Sequence, residues 1–156
     1  MMNISCLEAY NPFSNWRSCL VRYKGHTFRS VEQAYQYAKA VHVNDTSSAL
    51  KLRYTTDPRR AKDIGSKVTG LGDSNWDIVK FDVMKELVEI KFTNNRDLQE
   101  ELLKTGNKIL AESGFDQLYA IGLPITHKDI FNKEKWSGKN KLGQILCKVR
   151  SIILNK

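Results

Sequence analysis

The chain has 156 residues, of which 41% are hydrophobic and 27% are charged, and it carries a formal net charge of +8. Such a length and composition favour one globular domain over residues 1–156 with a core of its own. The sequence lacks an apolar run of the roughly 18 residues that a membrane helix needs, and its first residues lack the basic and apolar segments of a secretory signal, so neither a membrane partner nor export is expected.

Cysteine and histidine usage bears on compartment and cofactors. The cysteines number three and are irregularly spaced, which argues against a disulfide framework and favours a reducing, cytoplasmic location. The three histidines lie apart, without a CxxC or HxxxH motif beside them, so no structural zinc and no other cofactor is expected. The positive charge favours anionic partners such as nucleic acid or nucleotide phosphates. Because the basic residues are dispersed, simple solubility explains the charge equally well.

The N-terminal part, residues 1–24, is predicted to be partly extended. Residues 19–23 have strand propensity, whereas residues 11–16 form a loop because Pro12 resists helix and Asn and Ser favour turns. This loop sets Asn15 between aromatic residues, an arrangement that often binds ligands. The alternative is a plain surface turn with a packed Trp.

Gly25 then turns the chain into a helix that Ser30 opens. The Ser30 hydroxyl can accept a hydrogen bond from the backbone N–H of residue 33, as an N-cap does. Gln33, three residues after Ser30, completes a capping box.

This helix carries two stripes. At about 100° per residue, Glu32, Gln36 and Lys39 share one face. One interpretation is an ordinary amphipathic helix whose polar stripe faces water. The other is a half-buried stripe, since it borders the apolar one instead of opposing it, and burial would shift the pKa of a Glu or Lys as catalysis requires. The apolar stripe, with Tyr35 between the two, consists of Val31, Ala34, Ala38 and Val41.

Periodicity and capping signals predict the remaining elements. Lys91 lies on an apolar row of the strongest helix, so it either snorkels to the surface or reaches into a pocket. Residues 118–123 are predicted as a short strand or extended loop. The fold class is therefore mostly α, with a small β element from the N-terminal segment and the Tyr119 region. Helices are predicted over residues 47–52, 57–65, 76–92, 95–105 and 107–113, and after residues 138–140.

Six segments of the chain, taken in order, resemble the landmarks of one protein family. The run from Ser30 to Gln36 with Lys39 resembles the signature helix of the NADAR (YbiA-like) family. The other landmarks are Phe13-Ser14-Asn15, Trp76 before a helix ending Lys91-Phe92, Ile121-Gly122-Leu123, residues 136–143, and Arg150. The resemblance covers the chain from about Phe13 to Arg150.

The resemblance implies an N-glycoside hydrolase that cleaves a ribose C1′–N bond. One branch of the family is linked to removing ADP-ribose from guanine in nucleic acid, and another acts on ribosylamino intermediates of riboflavin synthesis. The signature glutamate matches Glu32 and the signature lysine matches Lys39, which we assign as catalytic. We assign substrate binding to Phe13, Ser14, Asn15, Gln33, Gln36, Trp76, Lys91, Tyr119, Gly122, Gly138 and Asn140.

The roles of the two catalytic residues stay open at this point. A carboxylate near C1′ can stabilise positive charge on ribose or take a proton from water. Lys39 can bind phosphate or ribose, or form a Schiff base if desolvation or another cation offsets the effect of Glu32. Tyr119-Ala120 stands where the family usually has Trp-Gly, which puts substrate preference in doubt. A non-catalytic ADP-ribose, NAD or nucleic-acid binder is the rival function, and the oligomeric state is not predicted.

Overall fold

The computed structural model describes residues 4–7, by their backbone, and residues 11–156. Helices dominate this part of the chain, so the predicted mostly α class with a small β element is confirmed. None of its helices combines the length and apolar character that crossing a membrane would need. The elements are β1 (Ile4–Leu7), β2 (Val21–Tyr23), β3 (His26–Phe28), α1 (Val31–His42), α2 (Thr46–Tyr54), α3 (Pro58–Ser66), α4 (Trp76–Asn94), α5 (Arg96–Lys104), β4 (Ile109–Glu112) and α6 (Lys141–Leu154).

The chain divides into two compact units. We call residues 15–96 the central unit, and residues 1–14 together with 97–156 the terminal unit. The predicted single domain over residues 1–156 stays a prediction.

The central unit is built around α1. This helix contacts α2, α3, α4 and both strands of the β2–β3 hairpin. Because α1 has neighbours on several sides, its first eight residues, 31–38, are all buried. The predicted start of this helix after Ser30 is therefore confirmed. Other elements surround the helix, so it does not pack through one face alone.

The β2–β3 hairpin supplies the entry to α1. Its antiparallel register pairs Val21 with Phe28 and Tyr23 with His26. Lys24 and Gly25 connect the strands with φ of 48° and 77°, the positive values that a two-residue type I′ turn requires. The turn predicted at Gly25 is confirmed, and the strand begins at Val21, within the predicted residues 19–23.

A strand stands in the terminal unit where a helix over residues 107–113 was predicted, so that prediction is wrong. β4 pairs in parallel with β1, with Ile4 opposite Ile109 and Leu7 opposite Glu112. On the other edge, Asn140 Nδ2 donates to the carbonyl of Leu110 at 2.9 Å, and Asn140 Oδ1 accepts from the Glu112 N–H at 3.1 Å. These distant partners satisfy the backbone of β4 as an extended segment.

The predicted β element near Tyr119 is not a strand. Asp116 Oδ1 accepts from the N–H groups of Leu118 and Tyr119 at 2.8 and 2.6 Å, which turns the chain there. Gly122 has a φ of 82°, a left-handed value that interrupts extended backbone. The segment is a series of turns, although the Ile121 N–H still bonds the carbonyl of Glu112 at 2.9 Å.

The last helix, α6, begins after residues 138–140, as predicted, and packs on β4. Leu142, Leu146 and Val149 are fully buried, whereas Ile152 is only half-buried. Ile152 lies in the last turn of α6, where the helix runs out towards solvent-exposed residues 154–156.

Candidate active site

The first turn of α1 fixes the position of Glu32. Ser30 is extended, and its Oγ accepts from the Gln33 N–H at 3.1 Å. The Glu32 N–H donates to the carbonyl of Asn15 at 3.0 Å. The backbone of Asn15 therefore bonds the start of the helix, and ligand binding by residues 11–16 stays a prediction.

The capping box is modified at its second position. Gln33 Oε1 accepts from the N–H of Arg29 at 2.8 Å, one residue before the N-cap. Its Nε2 donates to the carbonyls of Leu52 and Arg53 at 2.8 and 3.2 Å. Both ends of this buried amide are thus engaged with backbone, and substrate binding by Gln33 stays a prediction.

The polar stripe of α1 is buried. Glu32 and Gln36 are 8% and 6% exposed, and Lys39 is half-buried. Gln36 Nε2 donates to Glu32 Oε1 at 2.8 Å, which orients the carboxylate. The interpretation of an ordinary water-facing stripe is therefore wrong, because neighbouring elements cover this face of the helix.

Two residues that bond Glu32, Asn15 and Gln36, each carry a buried side-chain oxygen. Within residues 4–7 and 11–156, Gln36 Oε1 and Asn15 Oδ1 have no hydrogen-bond partner. Asn15 Nδ2 donates to the sulfur of Met84 at 3.4 Å, which leaves its oxygen as the open acceptor. Because nearly all buried polar atoms in proteins are paired, these two acceptors on residues that bond Glu32 make this part of the central unit a candidate site for the hydroxyl or N–H donors of a ligand.

Gly65 of α3 makes room for this arrangement. A Cβ atom at Gly65 would overlap Gln36 Oε1 and would lie 2.8 Å from Gln36 Cγ. The absence of a side chain at Gly65 thus lets the Gln36 amide reach Glu32. Sequence reasoning treated Gly65 only as a helix terminator.

Lys39 has a lowered pKa. Burial of its ammonium is the main cause, while the Glu32 carboxylate raises the pKa and the Lys80 ammonium lowers it further. Lys80, which sequence reasoning missed, forms an ion pair with Asp77 at 2.7 Å. The desolvation and the second cation that a Schiff-base lysine needs both act here in the required direction.

Trp76 forms an aromatic wall against α1. Its ring centroid lies 5.4 Å from that of Tyr35 and 5.5 Å from that of His42, and Trp76 is buried. His42 Nε2 lies 2.6 Å from Asn75 Oδ1, the residue before Trp76. Sequence reasoning missed His42, although its spacing of seven residues from Tyr35 places both on one helix face.

Lys91 is buried instead of snorkelling. It is 1% exposed, and its Nζ lies 5.0 Å from the ring centroid of Phe92. Lys91 continues the row of α4 that carries Met84 and Val88, both nearly fully buried, and Met84 accepts the bond from Asn15. The row of Lys91 therefore faces the interior of the central unit, and substrate binding by Lys91 stays a prediction.

The remaining predicted residues belong to the terminal unit. The N–H groups of Phe13 and Ser14 donate to Asn11 Oδ1 at 2.8 and 3.0 Å. Tyr119 is half-buried, while the oxygen and the nitrogen of the Asn140 side-chain amide both bond β4. Substrate binding by Tyr119 and Asn140 stays a prediction.

Gly122 and Gly138 bring two loops of the terminal unit together. The Gly138 N–H donates to the carbonyl of Ile121 at 2.8 Å. A Cβ atom at Gly138 would overlap the carbonyl of Ala120, and one at Gly122 would overlap Ser137 Oγ. Close backbone approach accounts for both glycines, and their contact with substrate stays a prediction.

Comparison with known proteins identifies relatives along the chain. A family model for the NADAR domain matches residues 5–154. An N-glycosidase of Acanthamoeba polyphaga mimivirus is 35% identical over 122 residues, which are 78% of this chain and 72% of that protein. An N-glycosidase of Nostoc punctiforme is 32% identical over 149 residues, which are 95% of this chain and 88% of that protein.

Two further matches bear on function and fold. A riboflavin biosynthesis protein of Vibrio vulnificus is 27% identical over 145 residues, which are 92% of this chain and 35% of that protein. The NMR structure of the E. coli protein YbiA matches with a TM-score of 0.80 at 24% identity, covering 99% of this chain and 88% of that one. The predicted YbiA-like fold is confirmed.

Replacing Gly65 by Ala tests the packing around Gln36. In the wild-type background we expect a loss of about 1–3 kcal/mol in the free energy of unfolding, because the new methyl overlaps the Gln36 amide. In a Gln36→Ala background the overlap is gone, and the better helix propensity of Ala should leave Gly65→Ala neutral or stabilising. Urea unfolding of the four proteins measures both effects. Equal effects of Gly65→Ala in the two backgrounds would contradict this packing.

The pKa of Lys39 should respond in opposite directions to its two charged neighbours. Glu32→Gln removes a carboxylate that raises the Lys39 pKa, so the pKa should fall further. Lys80→Gln removes a cation that lowers it, so the pKa should rise. NMR titration of isotopically labelled lysine side chains measures each change. A Lys39 pKa at its ordinary value in the wild-type protein would contradict the burial described above.

Proposed function

Because the chain belongs to the NADAR family, we propose that it hydrolyses a ribose C1′–N bond and removes ADP-ribose from guanine in nucleic acid. Its enzyme class is that of its relatives, the N-glycosidases. The finer proposal, the identity of the sugar and base, rests on the central unit. The observation that carries it is the buried Glu32 carboxylate, which Gln36 orients, together with the buried acceptors Asn15 Oδ1 and Gln36 Oε1 on two residues that bond Glu32 and that lack a partner among the described residues.

These groups suit a ribose. Two neighbouring hydroxyls of the sugar can donate to Asn15 Oδ1 and Gln36 Oε1, which supplies the missing partners. The sugar would then lie against Glu32, whose carboxylate is aimed by Gln36. Trp76, held by Tyr35 and His42, offers a rigid surface for an aromatic base.

The reaction divides among these residues. When the C1′–N bond breaks, its electron pair leaves with the base nitrogen, and C1′ becomes electron-poor. Glu32 stabilises that positive charge or accepts a proton from the water whose oxygen attacks C1′. The base nitrogen gains a proton and the sugar gains a hydroxyl, which completes hydrolysis.

Lys39 has two possible roles in this scheme. A neutral Lys39 amine can attack C1′ of the ring-opened ribose. The C1′–N bond to the base then breaks, the base nitrogen leaves with the electron pair and gains a proton, and water hydrolyses the Lys39 imine to release the sugar. The lowered Lys39 pKa favours that role. A protonated Lys39 can instead bind phosphate or ribose oxygens. Borohydride trapping during turnover distinguishes the two, because only the imine leaves a reduced adduct on Lys39.

A second candidate is hydrolysis of a small phosphorylated ribosylamine. The specific observation that favours it is the similarity to the Vibrio vulnificus protein. The chemistry at C1′ would be the same, and only the leaving group would differ. A non-catalytic binder is less well supported, because binding alone does not require an oriented, buried carboxylate beside a lysine of lowered pKa.

Glu32→Gln tests the catalytic assignment. The variant keeps the shape of the side chain and loses its charge, so the rate on ADP-ribosylated guanosine should fall on the order of 10² to 10⁴-fold. Glu86→Gln makes the same change at an exposed position of α4 and should retain the wild-type rate. Thermal unfolding of both variants checks that the fold is kept. Wild-type turnover by Glu32→Gln would remove Glu32 from catalysis.

The substrate class is tested by comparing three substrates. We expect kcat/KM to be higher for an ADP-ribosylated oligonucleotide than for ADP-ribosylated guanosine, because the net charge of +8 attracts flanking phosphates. That advantage should fall steeply with salt, by roughly 0.7 to 0.9 in log–log slope per phosphate contacted. Equal rates with a shallow salt dependence, or turnover of a phosphorylated ribosylamine alone, would support the small-metabolite function instead.

A further inference from the structure

A basic hollow lies on a different side of α1 from the catalytic stripe. It has a volume of about 430 Å³, and it is lined by Arg29, Arg53, Tyr54, Thr27, Thr56 and His26, together with Gly25 and the Gln33 amide. Glu32, Gln36 and Lys39 do not line it. Gln33 follows Glu32 directly, and successive helical residues point about 100° apart, so the hollow and the candidate active site share one helix and use different sides of it.

The buried amide of Gln33 holds the two arginine-bearing segments in place. Its Oε1 accepts from the Arg29 N–H at 2.8 Å, and its Nε2 donates to the carbonyl of Arg53 at 3.2 Å. Gln33 is 1% exposed. The backbone positions of Arg29 and Arg53 are thus fixed by the buried Gln33 amide.

The hairpin wall of the hollow is also fixed. The His26 ring packs edge-on against the rings of Phe28 and Tyr37, with centroid distances of 6.4 and 5.9 Å. Phe28 and Tyr37 are buried, so His26 packs against the hydrophobic core of the central unit. Its half-buried ring completes one side of the hollow.

The hollow combines uncompensated positive charge with an open aromatic ring. Across residues 4–7 and 11–156, no carboxylate lies within ion-pair distance of the guanidinium group of Arg29 or Arg53. The Arg53 guanidinium lies 5.3 Å from the Tyr54 ring centroid. Tyr54 is nevertheless 72% exposed, which leaves much of its ring available for stacking.

We propose that this hollow binds the backbone of single-stranded nucleic acid next to the base that occupies the active site. Arg29 and Arg53 bind phosphates, Tyr54 stacks on a base, and the hydroxyls of Thr27 and Thr56 donate to phosphate or sugar oxygens. Stacking on a side chain requires an unpaired base, so the ligand is a single strand. The inference rests on the proposed function, because it extends the substrate from one modified guanine to the strand that carries it.

The test measures binding of unmodified, labelled oligonucleotides of about 12 nucleotides, a length within the range that single-strand sites cover. Fluorescence anisotropy with oligo(dU) and with oligo(U), each at several salt concentrations, gives the affinity and its salt slope. Both probes carry the phosphates and bases that the hollow requires, and the tighter one identifies the preferred sugar. Arg29→Gln/Arg53→Gln should bind at least about ten-fold more weakly, with a slope shallower by about 1.4 for two single-strand phosphates.

A charge-matched control separates the hollow from net charge. Lys62→Gln/Lys67→Gln removes two exposed cations of the central unit that do not line the hollow. Both double variants have 23 basic and 17 acidic residues, hence a net charge of 23 − 17 = +6. The lysine variant should bind within about two-fold of the wild type. Removing distant charges lowers the affinity for the oligonucleotide less than removing side chains that contact its phosphates. Equal losses in the two double variants would overturn the proposal.

Tyr54 tests the stacking part independently of charge. Tyr54→Ala should weaken binding by about five-fold to a hundred-fold, the range measured for loss of one base–aromatic stack, while Tyr54→Phe should bind as the wild type. Because Tyr54 is exposed, neither change should disturb folding, which circular dichroism checks. Wild-type affinity of Tyr54→Ala would overturn the assignment to nucleic acid.

This binding measurement requires no turnover. If the wild-type enzyme leaves ADP-ribosylated guanosine intact, the proposed function fails, whereas the oligonucleotide binding is still measurable. If the wild type turns over that substrate but the arginine and tyrosine variants bind oligonucleotides normally, the hollow is the part that fails.

Discussion

The burial of the Glu32 carboxylate is the constraint on which the central unit depends. Moving a carboxylate out of water costs several kcal/mol unless hydrogen bonds and nearby positive charge compensate. Here the Gln36 amide donates to the carboxylate and the Lys39 ammonium interacts with it electrostatically, while the carbonyl of Asn15 accepts from the Glu32 backbone N–H and holds the start of the helix. Gly65 of α3 leaves the volume that the Gln36 amide needs. Since these contributions come from a loop and two helices, the carboxylate is oriented only in the assembled unit.

Lys39 shows that this arrangement is not optimised for stability. Burial lowers its pKa in the folded chain, so between the lowered and the ordinary pKa the unfolded chain binds more protons. The contribution of Lys39 to stability therefore increases with pH across that window, and on its acid side the folded chain carries the full penalty of a protonated, partly buried lysine. Glu32 offsets part of the penalty and Lys80 adds to it. A group that lowers stability next to a buried carboxylate is typical of a functional site.

Local sequence signals predicted the features that local interactions determine. The Ser30 cap, the course of α1 and the common face of Glu32, Gln36 and Lys39 follow from the helical repeat and needed no tertiary information. Burial of that face did not follow, because it depends on how α3 and α4 pack on α1. The strand β4 was missed for the same reason: its four residues are too few to show a period, and β1 and Asn140, distant in sequence, pair with its backbone. Gly65 and Lys80 likewise act through space, on residues of another helix.

The consecutive residues Glu32 and Gln33 give α1 two polar sides with different tasks. In the proposed reaction, the side of Glu32 presents a carboxylate to the sugar, while the side of Gln33 bonds the segments that carry Arg29 and Arg53. Because one helix connects both sides, the proposed phosphate site in the hollow has a fixed spacing from the carboxylate. Binding energy from groups remote from C1′ can then be used to orient the scissile bond, which raises the rate more than tight binding of the reacting sugar alone would. Using remote binding energy in this way requires a rigid connection between the two sites. A helix whose polar sides are buried provides that connection, at a cost in desolvation.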